Sequence, residues 1–184
     1  MDRRSFLTKS ATGIITGMTF PNILLARNAG KHERTLNLRN INTGEKVNVA
    51  YHVDGKYVYQ ALAELDHLFR DHHEDSTVAM DLHLYELLYA VQKRSDKKYP
   101  LLITSGFRTK KTNLYLKRNT KIYVSDNSYH LKAMAADVSV YKKARVKLNK
   151  LSGYAKKWKV GGVGYYPSHH FMHLDTGRPR TWVS

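Results

Sequence analysis

The sequence predicts an α+β domain in which a central antiparallel sheet has helices packed on it. Three observations predict this. Hydrophobicity alternates on both sides of a glycine turn early in the chain, apolar residues recur at helical spacing in three later stretches, and short apolar runs at Pro100–Ser105, Ala135–Val140 and Phe171–Asp175 read as strands. A length of 184 residues suits one domain with a real core and is short for two.

Taken in order, the chain opens on Arg3-Arg4 followed by Phe6-Leu7, then a mildly apolar stretch from Ala11 to Leu25 broken by Gly13, Gly17 and Pro21, with small Ala26 and Ala29 behind it. A basic start, a short apolar centre and small residues at its end predict a twin-arginine export signal over residues 1–29 and a periplasmic domain over residues 30–184. The helix-breaking residues and low hydrophobicity argue against a retained membrane anchor.

Beyond the leader, Leu36 and Leu38 alternate with polar neighbours, Asn42-Thr43-Gly44 supplies turn chemistry, and Val47, Val49 and Tyr51 alternate again, which predicts a β-hairpin. Val58, Leu62, Leu65, Leu68 and Phe69 follow at helical spacing. A second helix starts at Asp81 as N-cap, with Leu84, Leu87, Leu88 and Val91 inward. Pro100–Ser105 is a buried strand whose end displays Arg108 on the loop Gly106–Thr109, where functional side chains are often held. Ala135–Val140 is a second buried strand, Ala144–Trp158 a third helix, Gly161–Gly164 a tight backbone passage, and Phe171–Asp175 a last strand.

Composition narrows the chemistry. The chain has no cysteine, which excludes disulfides and thiolate metal sites, so any metal is held by nitrogen and oxygen. Thirty-one Lys and Arg against fifteen Asp and Glu give a net charge of +16, spread along the chain, and imply a surface that faces polyanions. Nucleic acid is one polyanion, but an export leader places the domain away from it.

The residues that carry chemistry lie in the last third. His130 and Asp137 are seven apart, and His173 follows near the end. Two imidazoles and a carboxylate are three of the four ligands of a catalytic Zn²⁺, with the fourth position left to water. Such a set leaves about one net positive charge, and the pKa of a bound water falls from about 15.7 to about 7. The chain has ten histidines, and His32, His52, His67, His72, His73 and His83 fit no ligand spacing. Spacing alone therefore leaves a metal site and a chance His/Asp pairing both open.

Four ordered motifs add to it: Ser105-Gly106-Phe107-Arg108; Ser128-Tyr129-His130 with Ala133, Ala136 and Asp137; Gly161-Gly162-Val163-Gly164-Tyr165-Tyr166-Pro167; and Phe171-Met172-His173-Leu174-Asp175-Thr176-Gly177. Together they resemble the M15 family of zinc metallopeptidases over most of the chain beyond the leader. The resemblance implies the fold shared with D-Ala-D-Ala peptidases and the hedgehog signalling domain, and hydrolysis of amide bonds in peptidoglycan cross-links. It implies His130, Asp137 and His173 as zinc ligands. Arg108, at the position of the family's Ser-Gly-x-Arg segment, is then expected to bind a substrate carboxylate or the oxyanion, with a structural ion pair as the alternative. Many relatives carry a Glu three residues before the last ligand. Here that position is His170, so the general base is either His170 or Asp175, and Asp175 has a second possible role, orienting an imidazole. Tyr165 and Tyr166 are expected either to line the substrate cleft or to pack in the core, whereas Trp158 and Trp182 are assigned to packing and His169 to solvent. Ser128 is expected to position its loop.

Two functions from different classes follow: a zinc endopeptidase of the periplasmic wall, and a peptidoglycan-binding module that keeps the metal fold without catalysis, as the missing Glu permits.

Overall fold

The computed structural model describes residues 33–120 and 123–184; the expected export signal, residues 1–29, lies outside them. The first strands are β1 (Arg34–Asn40) and β2 (Lys46–Val53), paired antiparallel with Leu36 opposite Val49 and Leu38 opposite Val47. Gly44 closes their turn at φ 78°, a conformation that costs glycine nothing. A short β3 (Lys56–Tyr57) continues the meander.

Helices α1 (Tyr59–Leu68) and α2 (Leu82–Arg94) bury Leu62, Leu65, Leu84, Leu88 and Val91, the positions that the 3.6-residue period selected. Asp81 caps α2 by accepting the backbone N–H of His83. After β4 (Leu101–Ser105) comes α3 (Lys110–Asn119), then a 3₁₀ turn (Tyr129–Lys132), β5 (Ala135–Ser139), α4 (Leu148–Trp158), β6 (Gly162–Tyr166), β7 (Phe171–Asp175) and β8 (Arg180–Val183).

All eight strands form one sheet, in the order β3-β2-β1-β4-β5-β7-β6-β8. The α+β class predicted from sequence is the observed one. The sheet is antiparallel where β4, β5, β7 and β6 adjoin, and parallel at β1–β4 and β6–β8, so it is mixed. The β1–β4 pair is parallel because α1 and α2 lie in the connection and supply the crossover that such pairing requires.

The two faces of the sheet differ. Ala136, Val138, Val163, Met172 and Leu174 join the helices' leucines in the hydrophobic core. Residues alternating with them, Asp137, Gly164 and His173, fall on the opposite face by the two-residue period of a strand. The helical core thus backs a sheet whose other face is free to carry polar chemistry.

Candidate metal centre

Strand pairing brings the three predicted ligands together. Asp137 on β5 lies directly opposite His173 on β7, and His173 in turn opposite Gly164 on β6. His130 enters from the 3₁₀ turn, whose preceding residue, Ser128, accepts the His130 backbone N–H at 3.3 Å. His130 Nε2 stands 3.2 Å from His173 Nδ1 and 3.3 Å from Asp137 Oδ1, and His173 Nδ1 stands 3.0 Å from that same oxygen. All three residues are buried or nearly so.

Partners on the far side of each ring fix which nitrogen carries the proton. His130 Nδ1 lies 2.6 Å from the carbonyl of Gly106, which only accepts, so Nδ1 carries hydrogen and Nε2 a lone pair. His173 Nε2 lies 2.8 Å from Asp175 Oδ2, so Nε2 carries hydrogen, and the neutral ring then offers its lone pair at Nδ1. Two lone pairs and a carboxylate oxygen therefore converge on one point. Ligands about 2.0–2.1 Å from a tetrahedral ion are about 3.3 Å from each other, close to all three separations here. The donor set fits a divalent cation.

Electrostatics agree. Burial, then the Arg108 charge, pushes the His130 imidazole down to about 4, which keeps it neutral at neutral pH. Burial alone would raise Asp137, but His130, His173 and Arg108 outweigh it and hold the carboxyl well below its usual range. Burial would lower His173, but Asp137 and Asp175 on either side raise it instead. Positive charge is favoured between those carboxylates, and a metal ion at Nδ1 meets the same demand.

Arg108 donates to Asp137 Oδ2 at 2.7 Å and to Ser105 Oγ at 2.8 Å. That ion pair leaves Asp137 Oδ1 to face the imidazoles. Gly106 is required beside it, because a Cβ there would lie 2.3 Å from the Phe69 carbonyl oxygen.

The cluster lies at the wall of a cleft of about 950 Å³ that Arg108, Tyr166, His169, Arg178, Arg180 and Trp182 also line. Tyr166 stacks on Phe171 at 4.4 Å and accepts the Trp182 indole N–H at 2.9 Å, so it forms part of that wall. Tyr165 does not: one residue along β6, it faces the other side of the sheet and packs on the hydrophobic core. His170 does not line the cleft either. It is exposed in the β6–β7 turn with φ 55°, and its neighbour His169, exposed as expected, is among the residues that line the cleft. Asp175, expected either as a base or as the carboxylate that orients an imidazole, is bonded on both oxygens: Oδ2 accepts from His173 and Arg180, and Oδ1 from Gly162 N, Gly177 N and Arg180. It is fully buried, and although burial would raise it, bonds from His173 and Arg180 hold it below the usual carboxylate range. Both oxygens are thus engaged, and Oδ2 lies where it orients the His173 ring.

Arg180 and Trp182 were not found as site residues from sequence. The signal was present in the glycines: a Cβ on Gly162 would collide with Arg180, and one on Gly164 with the Trp182 ring.

Comparison with known proteins places this architecture. A family model described as "Peptidoglycan L,D-endopeptidase MepK" matches residues 28–182. The chain is 35% identical over 175 residues to the probable peptidoglycan L,D-endopeptidase MepK of Haemophilus influenzae, covering 94% of this chain and 92% of that one. It is 34% identical over 149 residues to peptidoglycan L,D-endopeptidase MepK of Escherichia coli strain K12, covering 81% and 80%. With a match across nearly the whole described domain and a ligand cluster of the expected kind, the chain belongs to the M15 peptidase family, in the group of the MepK endopeptidases.

Proposed function

We propose that the protein is a zinc-dependent endopeptidase that hydrolyses amide bonds in the peptide cross-links of peptidoglycan, cutting between an L and a D centre as the names of its relatives state. The observation that carries this reading is the convergence of His130 Nε2, His173 Nδ1 and Asp137 Oδ1 within 3.3 Å of one another on the wall of a substrate-sized cleft. His130, Asp137 and His173 would hold the zinc ion, which would supply Lewis acidity and the activation of water for attack on an amide.

The chain's own residues do the rest. His130 and His173 hold their lone pairs on the ion through Gly106 and Asp175, and Arg108 keeps Asp137 facing it. The Arg108 guanidinium borders the cleft, where its remaining N–H groups face a substrate carboxylate or the oxyanion that forms as the amide carbonyl is attacked. Tyr166 forms an apolar wall for the peptide. Proton transfer is assigned to His169, the imidazole on the β6–β7 turn that lines the cleft, in place of His170. Arg108 pairs with Asp137 and Arg180 with Asp175, so these four side chains balance in charge, and the positive excess that suits an anionic substrate would come from the metal and from Arg178, which also lines the cleft.

Residues 1–29 act as a twin-arginine signal that delivers the domain to the periplasm, where its net charge of +16 favours contact with anionic wall polymer. Among the described residues no helix is long and apolar enough to cross a membrane.

The test is digestion of purified muropeptide dimers carrying either an L,D or a D,D cross-link, with product masses read by chromatography and mass spectrometry. The L,D dimer is expected to be split, a chelator to stop the reaction and added zinc to restore it. His130→Ala is expected to lose zinc and turnover together, to background. Hydrolysis by His130→Ala at the parent rate refutes the metallopeptidase reading, and binding of cross-linked sacculi without product, zinc present, favours a binding module.

A further inference from the structure

Strand β8 sends two side chains across β6 toward β7. In the parallel β6–β8 register Arg180 sits beside Gly162 and Trp182 beside Gly164. Both glycines lack the atom that would block the crossing: a Cβ on Gly162 would stand 2.3 Å from Asp175 Oδ2 and 2.4 Å from Arg180 Nη1, and one on Gly164 2.3 Å from the Trp182 ring. The glycine-rich segment is therefore a gap in the cleft face of β6, and through it Arg180 reaches the carboxylate behind His173.

We infer that Arg180 is a positioning residue for the metal centre: it holds Asp175 in the one orientation that accepts the His173 Nε2–H, and so keeps Nδ1 aimed at the ion. The inference rests on the zinc reading above. Arg180 Nη2 donates to Asp175 Oδ2 at 2.7 Å and Nη1 to Oδ1 at 3.1 Å, a two-point grip on a fully buried carboxylate. Nη1 also donates to the Arg178 carbonyl at 3.1 Å. The Tyr129 and Trp182 rings lie 5.0 and 5.1 Å from the guanidinium carbon and fix its plane. With both Nη atoms committed, Arg180 acts through Asp175 on His173, and Trp182, 5.4 Å from the His173 ring, packs on the same imidazole. Metal-bound histidines depend on such outer partners for ring orientation and basicity.

The experiment titrates zinc into the metal-free full chain against a chelator of known affinity, for the parent, R180A, R180K and G162A. Nitrogen NMR of the His173 ring reports its tautomer. R180A is expected to weaken zinc binding about 10–100-fold and to let His173 lose its fixed Nε2–H. R180K, a point charge that cannot span both oxygens, is expected to recover part of that loss. G162A, whose Cβ would crowd Asp175 Oδ2 as well as Arg180, disturbs the same grip from the other side and should weaken zinc in the same direction. Zinc held as tightly by R180A and G162A as by the parent, with the His173 tautomer unchanged, overturns the inference. Equal loss in R180A and R180K together with a lower melting temperature of both metal-free variants also overturns it, as a general structural role. If R180A does not fold, R180K and G162A decide by the same criteria. A parent chain that takes up no zinc refutes the zinc reading instead.

Discussion

His130 and His173 present opposite ring nitrogens to one point, Nε2 from the first and Nδ1 from the second, because a backbone carbonyl claims one ring and a carboxylate the other. Residue type and spacing left the metal site open in the sequence, and the resemblance of four ordered motifs to the M15 family singled out His130, Asp137 and His173, which the fold brings together. Neither carried the direction of the remaining side chains. Tyr165 and Tyr166 read alike as aromatics after a glycine run, yet the two-residue period of β6 sends one to the core and the other to the cleft. His170 was selected because many relatives carry a Glu at its position, but it stands at φ 55° in the turn and does not line the cleft that His169 lines. At this scale the expected outcome is asymmetric. His169→Gln should lower kcat by about 10²-fold, whereas His170→Gln should leave it unchanged. Steady-state kinetics of the two variants on a cross-linked dimer check it, and the reverse ranking would return proton transfer to His170.

Elements with a clear apolar period were legible: the β1–β2 hairpin, α1, α2 with its Asp81 cap, β4, β5 and β7 stand where the pattern put them. Helix α4 starts at Leu148 and not at Ala144, because the Ala144 N–H closes a turn on the Tyr141 carbonyl. Helix α3 was missed because it has no apolar stripe: it buries only Thr112 and Asn113 and exposes Leu114 and Tyr115. Strand β6 was hidden by glycines that read as a turn, and β8 by its short, mostly exposed sequence. What holds α3 beside the cleft is Asp71, just beyond α1, whose Oδ2 accepts the N–H of Thr109, the α3 N-cap, at 2.8 Å. Burial would raise the Asp71 carboxyl, but bonds from Thr112, Thr109 and His73 lower it. A carboxyl lowered on folding contributes stability that is present above its unfolded value and lost as pH falls through its folded one. Asp71→Asn is therefore expected to cost about 1–3 kcal/mol at neutral pH. Urea unfolding at a series of pH values should show the gap between parent and variant narrowing as pH falls below about 4. A gap independent of pH would mean that the amide replaces the carboxylate fully.

For the whole molecule, the sheet separates tasks: one face closes the hydrophobic core under α1, α2 and α4, and the other carries the ligands. The charge of +16 was legible from composition and says what the surface meets, not what the cleft does. Because the ligands proposed for one ion come from β5, β7 and the 3₁₀ turn and meet only on folding, a metal held there would favour the folded state. At free zinc one hundred times Kd the gain is about 2.7 kcal/mol, or about 5–10 °C in Tm for a domain of this size. Calorimetry with and without chelator measures it, and an unchanged Tm would show that no resident ion supports the fold. The parallel placement of β8 beside β6 has a bearing on biosynthesis. Asp137 and His173 leave the ribosome before the strand that carries Arg180, so on the role inferred for Arg180 a nascent polypeptide lacks a finished seat for an ion until β8 has emerged. Hydrolytic competence is thereby withheld until the fold is whole.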